Sequence, residues 1–294
     1  MRARLFFVWI GLVGISAAVG QQDFSGVEIK ATQVSGPIHM LEGRGGNIGV
    51  SAGPDGILMV DDQYAPLAEK IRAALGKLGG DKPRFILNTH WHGDHTGGNP
   101  TFGRDGVIIA HQNVRNRLAT RQELFGKPVE PLAKEGLPVV TYENSVSLHF
   151  NGEEIRVVHF PNGHTDGDGV VFFTKSNVVH MGDLMFAGMF PFIDLEHGGD
   201  VDGFARNVEA VLKTLSPDAK IIPGHGPLST PEDLKSFHKM LVETTAVVKK
   251  KIAAGKSLEE IQKEGLPQTW AAWGNGFIKT PQWIETIHKS VKRP

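Results

Sequence analysis

The sequence contains no cysteine in its 294 residues. This absence excludes disulfide bonds, thiolate metal ligands and a cysteine-linked lipid anchor, and it is compatible with export to an oxidising compartment. The chain also has no excess of charge of one sign. It contains 31 Lys and Arg residues and 32 Asp and Glu residues, for a formal net charge of −1. Such a balance lacks the excess of basic residues that is typical of proteins that bind nucleic acid. A small molecule is therefore the expected substrate.

A long apolar run is absent beyond the N-terminus, and the one found there is too short to span a membrane. Two arginines precede an apolar run over residues 5–13, and small residues follow up to Gly20. This pattern is typical of a secretory signal with cleavage before Gln21, since a spanning helix needs about 20 apolar residues. We therefore expect a signal peptide over residues 1–20, a periplasmic or secreted protein, and no stable membrane insertion after cleavage.

The composition and periodicity of the remaining chain predict a packed α/β protein. Apolar residues make up 40% of the chain and charged residues 21%, which is ordinary for a globular protein. Short β-type runs alternate with helical patterns, of which residues 65–78 and 203–215 are the clearest. The chain shows no low-complexity linker and no internal repeat of solenoid length. A single catalytic domain is the simplest interpretation.

The end of the chain is predicted to be helical. Helix-start signatures occur at Thr230, Ser257 and Thr280, where a small hydroxyl residue precedes a proline or acidic residues. We therefore expect a catalytic domain over residues 21–229 and a helical C-terminal extension over residues 230–294 that packs on the same domain.

The stretch THWHGDHTGGN, residues 89–99, gathers metal-ligating side chains at the end of a predicted strand. Residues i and i+2 of an extended segment project to the same side, so His90 and His92 can hold one cation together. Asp94 and His95 follow the next turn and point to a second position nearby. A core has no other use for this density of ligands, because each buried polar group needs a partner. The motif indicates a metal site.

Three further candidate ligands follow predicted strands elsewhere in the chain. His164 lies in NGHTDGD, Asp183 ends NVVHMGD and His225 lies in KIIPGHG. Imidazole and carboxylate ligands suit zinc, although iron or manganese fits the same set, and the full set is enough for two zinc ions that share a carboxylate and a water. The first ion is assigned to His90, His92 and His164, and the second to Asp94, His95 and His225, with Asp183 as the bridge.

These motifs, together with LMVDD at residues 58–62, resemble the five-motif pattern of the metallo-β-lactamase superfamily of hydrolases. The resemblance covers the chain from about Glu28 to Pro227. It implies an αββα sandwich with a dinuclear zinc site along one edge, and it assigns the same ligand residues. It also implies that Asp61 supports one of the ligands from behind, as outer hydrogen-bond partners of metal-bound imidazoles do.

The chain departs from one branch of this superfamily at Asp183. The secreted β-lactamases of the best-known class have a cysteine at that position, whereas an aspartate resembles the thioester hydrolases and other members. The resemblance therefore implies metal binding more firmly than it implies a β-lactam substrate.

The expected mechanism needs no activated serine or cysteine. Two zinc ions lower the pKa of a water that bridges them from its high value in bulk water to near neutral pH, and the resulting hydroxide is a strong nucleophile. Asp94 is the expected catalytic residue, because as a ligand and a hydrogen-bond acceptor it would orient the hydroxide and pass a proton to the leaving group.

The apolar segment after Asp183 predicts a wall or lid over the site. Phe190 and Phe192 are its candidate substrate contacts, and a buried core segment is the alternative for this stretch. His197, just beyond it, is a candidate contact for a substrate carboxylate, with a surface role as the alternative.

Hydrolysis of the β-lactam amide is the leading interpretation, because export, size and the ligand set fit an antibiotic-resistance enzyme. A hydrolase of thioesters or activated esters, of the glyoxalase II kind, is the alternative, favoured by Asp183 and by the basic run at residues 249–251. A non-catalytic zinc-binding accessory protein is a third class. A redox di-iron role is disfavoured, because such relatives typically have glutamate where His92 stands. The sequence leaves the oligomeric state open.

Overall fold

Two β-sheets packed face to face form the centre of the fold, and helices cover both outer faces. The structure is a computed structural model that describes residues 23–293. The predicted signal peptide therefore lies outside the described residues. Within residues 23–293, none of the helices combines the length and the apolarity needed to cross a bilayer.

The elements are numbered in chain order. The strands are β1 (Lys30–Ser35), β2 (Ile38–Glu42), β3 (Ile48–Gly53), β4 (Gly56–Val60), β5 (Pro83–Asn88), β6 (Val107–His111), β7 (Gln122–Leu124), β8 (Lys127–Val129), β9 (Val140–Tyr142), β10 (Ser145–Phe150), β11 (Glu153–His159), β12 (Gly169–Phe173), β13 (Val178–His180) and β14 (Lys220–Ile222). The α-helices are α1 (Ala68–Gly76), α2 (Gly93–Thr96), α3 (Asn99–Phe102), α4 (Gln112–Leu118), α5 (Val201–Leu212), α6 (Pro231–Ala253), α7 (Leu258–Glu264) and α8 (Thr280–Val291).

The two sheets have mixed strand directions. The first sheet has the order β1-β2-β3-β4-β5-β6-β9 and the second the order β10-β11-β12-β13-β14. In the first sheet the strands from β4 onward run parallel, and in the second β13 and β14 are the parallel pair. The carboxyl ends of β5, β13 and β14 carry the predicted ligand motifs. Strands β7 and β8 form a separate two-stranded hairpin that is not part of either sheet.

Alternation of side chains along each strand divides the apolar residues between layers. In β4, Leu58 and Val60 pack in the core between the two sheets, whereas Ile57 and Met59 pack under α1. Strand β12 shows the same alternation between the inner core and the outer helices. A strand that is buried on both faces reads as a continuous apolar run. This layering confirms the predicted αββα sandwich.

The predicted helices differ from the observed ones at their first turns. The pattern at residues 65–78 begins as a 3-10 turn at Ala65–Leu67 before α1 starts. Helix α5 starts two residues before the predicted position, because the Asp200 carboxylate accepts a hydrogen bond from the backbone N–H of Gly203 at 2.7 Å. An N-cap of this kind fixes where a helix begins.

The C-terminal helices pack on the second sheet as part of a single apolar core. Helix α6 starts at a capping box in which Thr230 and Asp233 bond reciprocally. Trp283 of α8 is fully buried, and its ring stacks on Phe190 with centroids 5.8 Å apart. Its indole N–H donates to Thr244 Oγ1 of α6 at 3.0 Å. The extension and the loop after Asp183 therefore support each other, while the predicted domain boundaries stay predictions.

Phe190→Ala is expected to lower the free energy of unfolding by about 3–5 kcal/mol, the usual cost of truncating a buried aromatic residue. The physical reason is the cavity left against Trp283. Urea titration of the metal-free protein measures the loss. The control is Val242→Ala on α6, whose side chain is 47% exposed, and which we expect to change stability by less than about 0.5 kcal/mol. A loss below about 1 kcal/mol for Phe190→Ala would contradict the packing of the extension on this loop.

Candidate metal centre

The predicted ligand segments meet at one edge of the sandwich, between the carboxyl ends of strands from both sheets. His90 and His92 follow β5, Asp183 follows β13 and His225 follows β14, while His164 lies in the turn after β11. Loops at such strand ends leave the hydrogen-bonded frame and can carry functional side chains on a rigid support. Four separate segments are thus brought to one place.

The first group consists of His90, His92, His164 and Asp183, all of which are buried. His164 Nε2 lies 2.8 Å from His92 Nδ1 and 3.4 Å from Asp183 Oδ2. His90 Nε2 lies 3.8 Å from the same carboxylate oxygen. One nitrogen or oxygen of each residue therefore converges on a common point, as the ligands of a single cation do.

The second group consists of Asp94, His95 and His225. His95 Nε2 lies 3.3 Å from His225 Nε2, and Asp94 Oδ2 lies 3.4 Å from the latter nitrogen. The side chains of Asp94 and His225 are 25% and 23% exposed, whereas that of His95 is fully buried. The cluster therefore opens to solvent on the side of the second group.

Asp183 faces both groups with different oxygens. Its Oδ2 atom points to the first group, and its Oδ1 atom lies 3.0 Å from His95 Nε2 and 3.3 Å from His225 Nε2. Asp183 Oδ1 and His90 Nε2 are buried without a well-formed hydrogen bond. Buried polar atoms are nearly always bonded. These two atoms are therefore suited to bind metal ions, one on each side of the Asp183 carboxylate.

In four of the five imidazoles, the ring nitrogen that points away from the cluster is hydrogen-bonded to a neighbouring oxygen. The bonds are His90 Nδ1 to Thr89 Oγ1 (3.0 Å), His92 Nε2 to Asp194 Oδ2 (2.9 Å), His95 Nδ1 to Asp61 Oδ2 (2.8 Å) and His164 Nδ1 to the Phe192 carbonyl (2.8 Å). When the outward nitrogen donates to an oxygen, the inward nitrogen carries the lone pair. These bonds orient the four inward nitrogens to the centre of the cluster, where each can offer a lone pair to a metal once it carries no proton.

The pKa values divide the imidazoles into two kinds. Burial lowers the pKa of His90 well below its usual range and lowers that of His164 to about 4. Burial would also lower the pKa of His95 and His225, but facing carboxylates, chiefly Asp183, raise the first well above its usual range and the second to about 9. His90 and His164 are therefore neutral at pH 7, whereas the carboxylates of Asp183 and Asp94 keep His95 and His225 protonated in the metal-free protein. A cation that binds at the second group would displace these protons.

Two glycines allow the backbone to approach the ligands closely. A Cβ atom at Gly46 would lie 2.1 Å from the His95 ring, and one at Gly224 would lie 2.1 Å from Asp183 Oδ1. No side chain fits at either position without moving a candidate ligand. The loops after β2 and β14 therefore need glycine to enclose the cluster.

Three supporting carboxylates flank the cluster, and only Asp61 was predicted. Asp61, the predicted one, is fully buried between His95 Nδ1 and Thr89 Oγ1. Asp168 holds the turn that carries His164, because it accepts hydrogen bonds from the backbone N–H groups of His164 at 2.6 Å and Thr165 at 3.0 Å. The NGHTDGD segment contains Asp168, and its position three and four residues after the backbone groups that it binds is the signal that could have identified it.

Asp194 is a further residue that the sequence did not reveal. Its carboxylate accepts a hydrogen bond from His92 Nε2 at 2.9 Å and another from His197 Nδ1 at 2.8 Å. The His197 ring is buried and lies 4.8 Å from the Trp91 ring. His197, predicted as a substrate contact, is thus placed behind His92, where it supports Asp194.

The two predicted phenylalanine contacts occupy different environments. Phe192 is half-buried, with its ring 5.6 Å from the ring of His92 and 5.7 Å from that of His164. Phe190 is only 1% exposed and packs against Trp283, so it belongs to the core and not to the wall of the site. The irregular backbone between Asp183 and Asp194 turns these two side chains to opposite sides.

A four-layer sandwich with imidazole and carboxylate side chains gathered at one edge defines a metallohydrolase. The profile of the metallo-beta-lactamase superfamily matches residues 41–225, which is more than half of the chain and includes every candidate ligand. The chain belongs to the metallo-β-lactamase superfamily, whose members are metal-dependent hydrolases.

Individual relatives agree with this membership. The chain is 30% identical over 165 residues to a hydroxyacylglutathione hydrolase of Nitrosococcus oceani and 29% identical over 146 residues to the metallo-beta-lactamase type 2 of Bacteroides fragilis. These matches cover 54% and 48% of this chain and 55% and 52% of the relatives, so the chain spans about half the length of either. The fold is similar to that of DIM-1 metallo-beta-lactamase, with a TM-score of 0.60 and 20% identity over 73% of this chain and 98% of that one.

Asp194→Ala is expected to weaken zinc binding by about 10–100-fold, because His92 loses the acceptor that fixes its ring. A competition titration with a chromogenic chelator measures the affinity, and thermal unfolding of the metal-free variant reports whether the fold is intact. Asp202→Ala is the matched control, since the Asp202 carboxylate pairs with Lys249 on the surface and touches no candidate ligand. Equal affinities of wild type and Asp194→Ala would contradict the supporting role.

Proposed function

We propose that the protein is a hydrolase that holds two zinc ions and opens the amide bond of β-lactam rings. The observation that carries the proposal is the arrangement of the ligand atoms in two groups joined by Asp183. Four of the imidazoles are oriented from behind, so the cluster is preorganised for metal. A structural role alone would not require this orientation, because a core histidine needs no lone pair directed at its neighbours.

The residues present fit zinc. His90, His92 and His164 would hold the first ion and Asp94, His95 and His225 the second, with Asp183 shared between them. When bound, zinc polarises a carbonyl oxygen and lowers the pKa of a water. The remaining chemistry belongs to side chains of this chain.

Asp94 is the residue that would move the proton. Burial would raise its pKa, but the neighbouring His95 and His225 lower it to about 2, so the carboxylate is charged at neutral pH. The Asp94 carboxylate would accept the proton of the attacking water as the oxygen of that water bonds to the carbonyl carbon. The carbon–nitrogen bond then breaks, and Asp94 delivers the proton to the departing nitrogen.

Apolar side chains limit the access of water to the cluster. The Phe186 ring is buried and stacks on His225 with centroids 5.1 Å apart, and Phe192 covers His92 and His164. The open side lies at Asp94 and His225, which leaves room for a substrate carbonyl. That opening favours an enzyme over a non-catalytic zinc-binding protein.

Hydrolysis of thioesters is the second candidate function. It is favoured by Asp183, because the best-known secreted β-lactamases have a cysteine at that position. It is also favoured by the similarity of the chain to hydroxyacylglutathione hydrolases. The basic run does not add to it, because Lys249 pairs with Asp202 and Lys251 donates to the carbonyl of Gly265. Export, inferred from the N-terminal pattern, favours the β-lactam substrate.

The deciding experiment uses the protein from Gln21 onward, reconstituted with zinc and freed of excess metal. We expect about two zinc ions per chain by atomic absorption and turnover of a chromogenic cephalosporin, with an acyl thioester assayed in parallel. The chelator-treated protein is the control for both substrates. One ion or fewer would contradict the two-zinc site, and turnover of the thioester alone would replace the first function with the second.

A further inference from the structure

A series of three phenylalanine rings runs from the metal centre to the surface. Phe192 contacts the rings of His92 and His164, the Phe125 ring lies 4.7 Å from the Phe192 ring, and the Phe277 ring lies 6.3 Å from the Phe125 ring. Tilted and edge contacts at these distances are favourable for aromatic pairs. The rings form one continuous apolar strip that begins at His92 and His164 of the first group.

Three separate parts of the chain supply these rings. Phe125 lies in the turn between β7 and β8, Phe192 in the loop after Asp183, and Phe277 in the C-terminal extension. The hairpin is anchored through Leu124, which packs on the cluster that contains Trp91. The strip is therefore attached to the loop that carries His90 and His92, and it is not an isolated surface feature.

The extension is attached to the same loop from the other side. The backbone N–H of Phe190 donates to the carbonyl of Trp273 at 3.1 Å. At Gly276 a Cβ atom would lie 2.7 Å from the Cβ atom of Met189, so the chain passes the loop at the closest approach that glycine permits. Phe277 follows directly, so this close approach fixes its position beside the Phe125 ring.

Exposure and backbone strain both indicate that the strip serves a purpose other than folding. Phe125 is 62% exposed and Phe277 is 72% exposed, and these are the two exposed aromatic side chains among the large apolar residues of the described chain. Phe125 has φ +53° and is followed by Gly126 at φ +70°. Hairpin turns of this conformation favour asparagine at the first position, and a bulky residue there is strained. Strain of this kind concentrates at functional sites.

We infer that Phe125, Phe192 and Phe277 form a substrate subsite that takes an apolar group, an aryl ring or an alkyl chain, attached next to the scissile bond. The inference rests on the proposed function and names the substrate class for it: activated acyl compounds with an apolar substituent. The C-terminal extension thereby contributes to substrate choice as well as to the core.

The test compares the wild type with the double variant Phe125→Asn/Phe277→Ala. Asparagine suits the turn and residue 277 is exposed, so the fold is preserved. For each protein kcat/KM is measured on benzylpenicillin and on 6-aminopenicillanic acid, which lacks the phenylacetyl group, and on phenylacetyl and acetyl thioesters. We expect the wild type to prefer the apolar member of a pair by roughly tenfold or more, and the double variant to lose most of that preference. Val242→Ala, remote on α6, is the control that keeps it.

A binding measurement makes the test independent of turnover. The metal-free proteins are titrated with the fluorescent dye 1-anilinonaphthalene-8-sulfonate, and the Kd of the double variant is expected to rise about fivefold or more. An unchanged Kd, or an unchanged preference, overturns the subsite. Absence of turnover on every substrate contradicts the proposed function, while the dye still decides the subsite. A wild-type dimer that dissociates in the double variant, seen by sedimentation, identifies the strip as a subunit contact and also overturns the inference.

Discussion

Asp94→Asn is expected to lower kcat by about 10²–10⁴-fold at saturating zinc. Asparagine keeps an oxygen ligand for the second ion but cannot accept and return a proton. KM is expected to change little, because the residue acts in the chemical step. The free energy of unfolding of the metal-free protein is expected to fall at neutral pH, because the charged Asp94 carboxylate pairs with His95 and His225, so thermal unfolding of the zinc-loaded variant is measured to show that it is folded in the assay.

The measurement is steady-state kinetics at a fixed zinc excess, with metal content determined on the same samples. Asp202→Asn, a surface carboxylate paired with Lys249, is the matched control and keeps its rate. A kcat for Asp94→Asn within about tenfold of wild type would remove Asp94 from the proton path.

Asp183→Asn is expected to reduce bound zinc from about two ions to about one and to lower kcat/KM by at least about 10³-fold. The amide offers one oxygen where the carboxylate offers two, so it cannot serve both groups. Equilibrium dialysis and kinetics on the same preparations test this result. Retention of two ions with normal turnover would contradict the shared role of Asp183.

The same variant has an effect on the metal-free protein that depends on pH. Carboxylates, chiefly Asp183, raise the pKa of His225 to about 9 in the folded protein, above the usual value of about 6.5. The stabilisation from this pairing is fully present below pH 6.5 and is lost as pH rises through 9. Asp183→Asn therefore destabilises the metal-free protein by about 3–5 kcal/mol at pH 6 and by clearly less at pH 9.5, as urea titrations at the two pH values would show.

The candidate ligands were predictable because their signal is local. Each one follows a strand whose apolar run is legible in the sequence, and His90, His92, Asp94 and His95 lie within six positions of one another. The structure brings all of them together with the three more distant ligands. The αββα layering was predicted through the resemblance to the superfamily, and the alternation of side chains along β4 and β12 agrees with it.

The supporting contacts were not predictable, because they join residues that are distant in sequence. Asp194 lies 102 positions from His92, and neither residue type nor spacing marks the pair. Phe190 and Phe192 illustrate the same limit at short range. Their loop has no regular period, so the sequence does not tell which ring enters the core and which faces the site. The packing of Trp283, nearly a hundred positions later, decides it.

The loop between β5 and α3 has a consequence for the chain before it folds. Because four ligand side chains lie within residues 90–95, the unfolded polypeptide itself has a short chelating peptide. Added zinc then stabilises both the folded and the unfolded state. It therefore raises the unfolding midpoint by less than the zinc affinity of the folded protein alone implies. A chain that emerges unfolded into a zinc-containing compartment is expected to capture its first ion there and to fold around it.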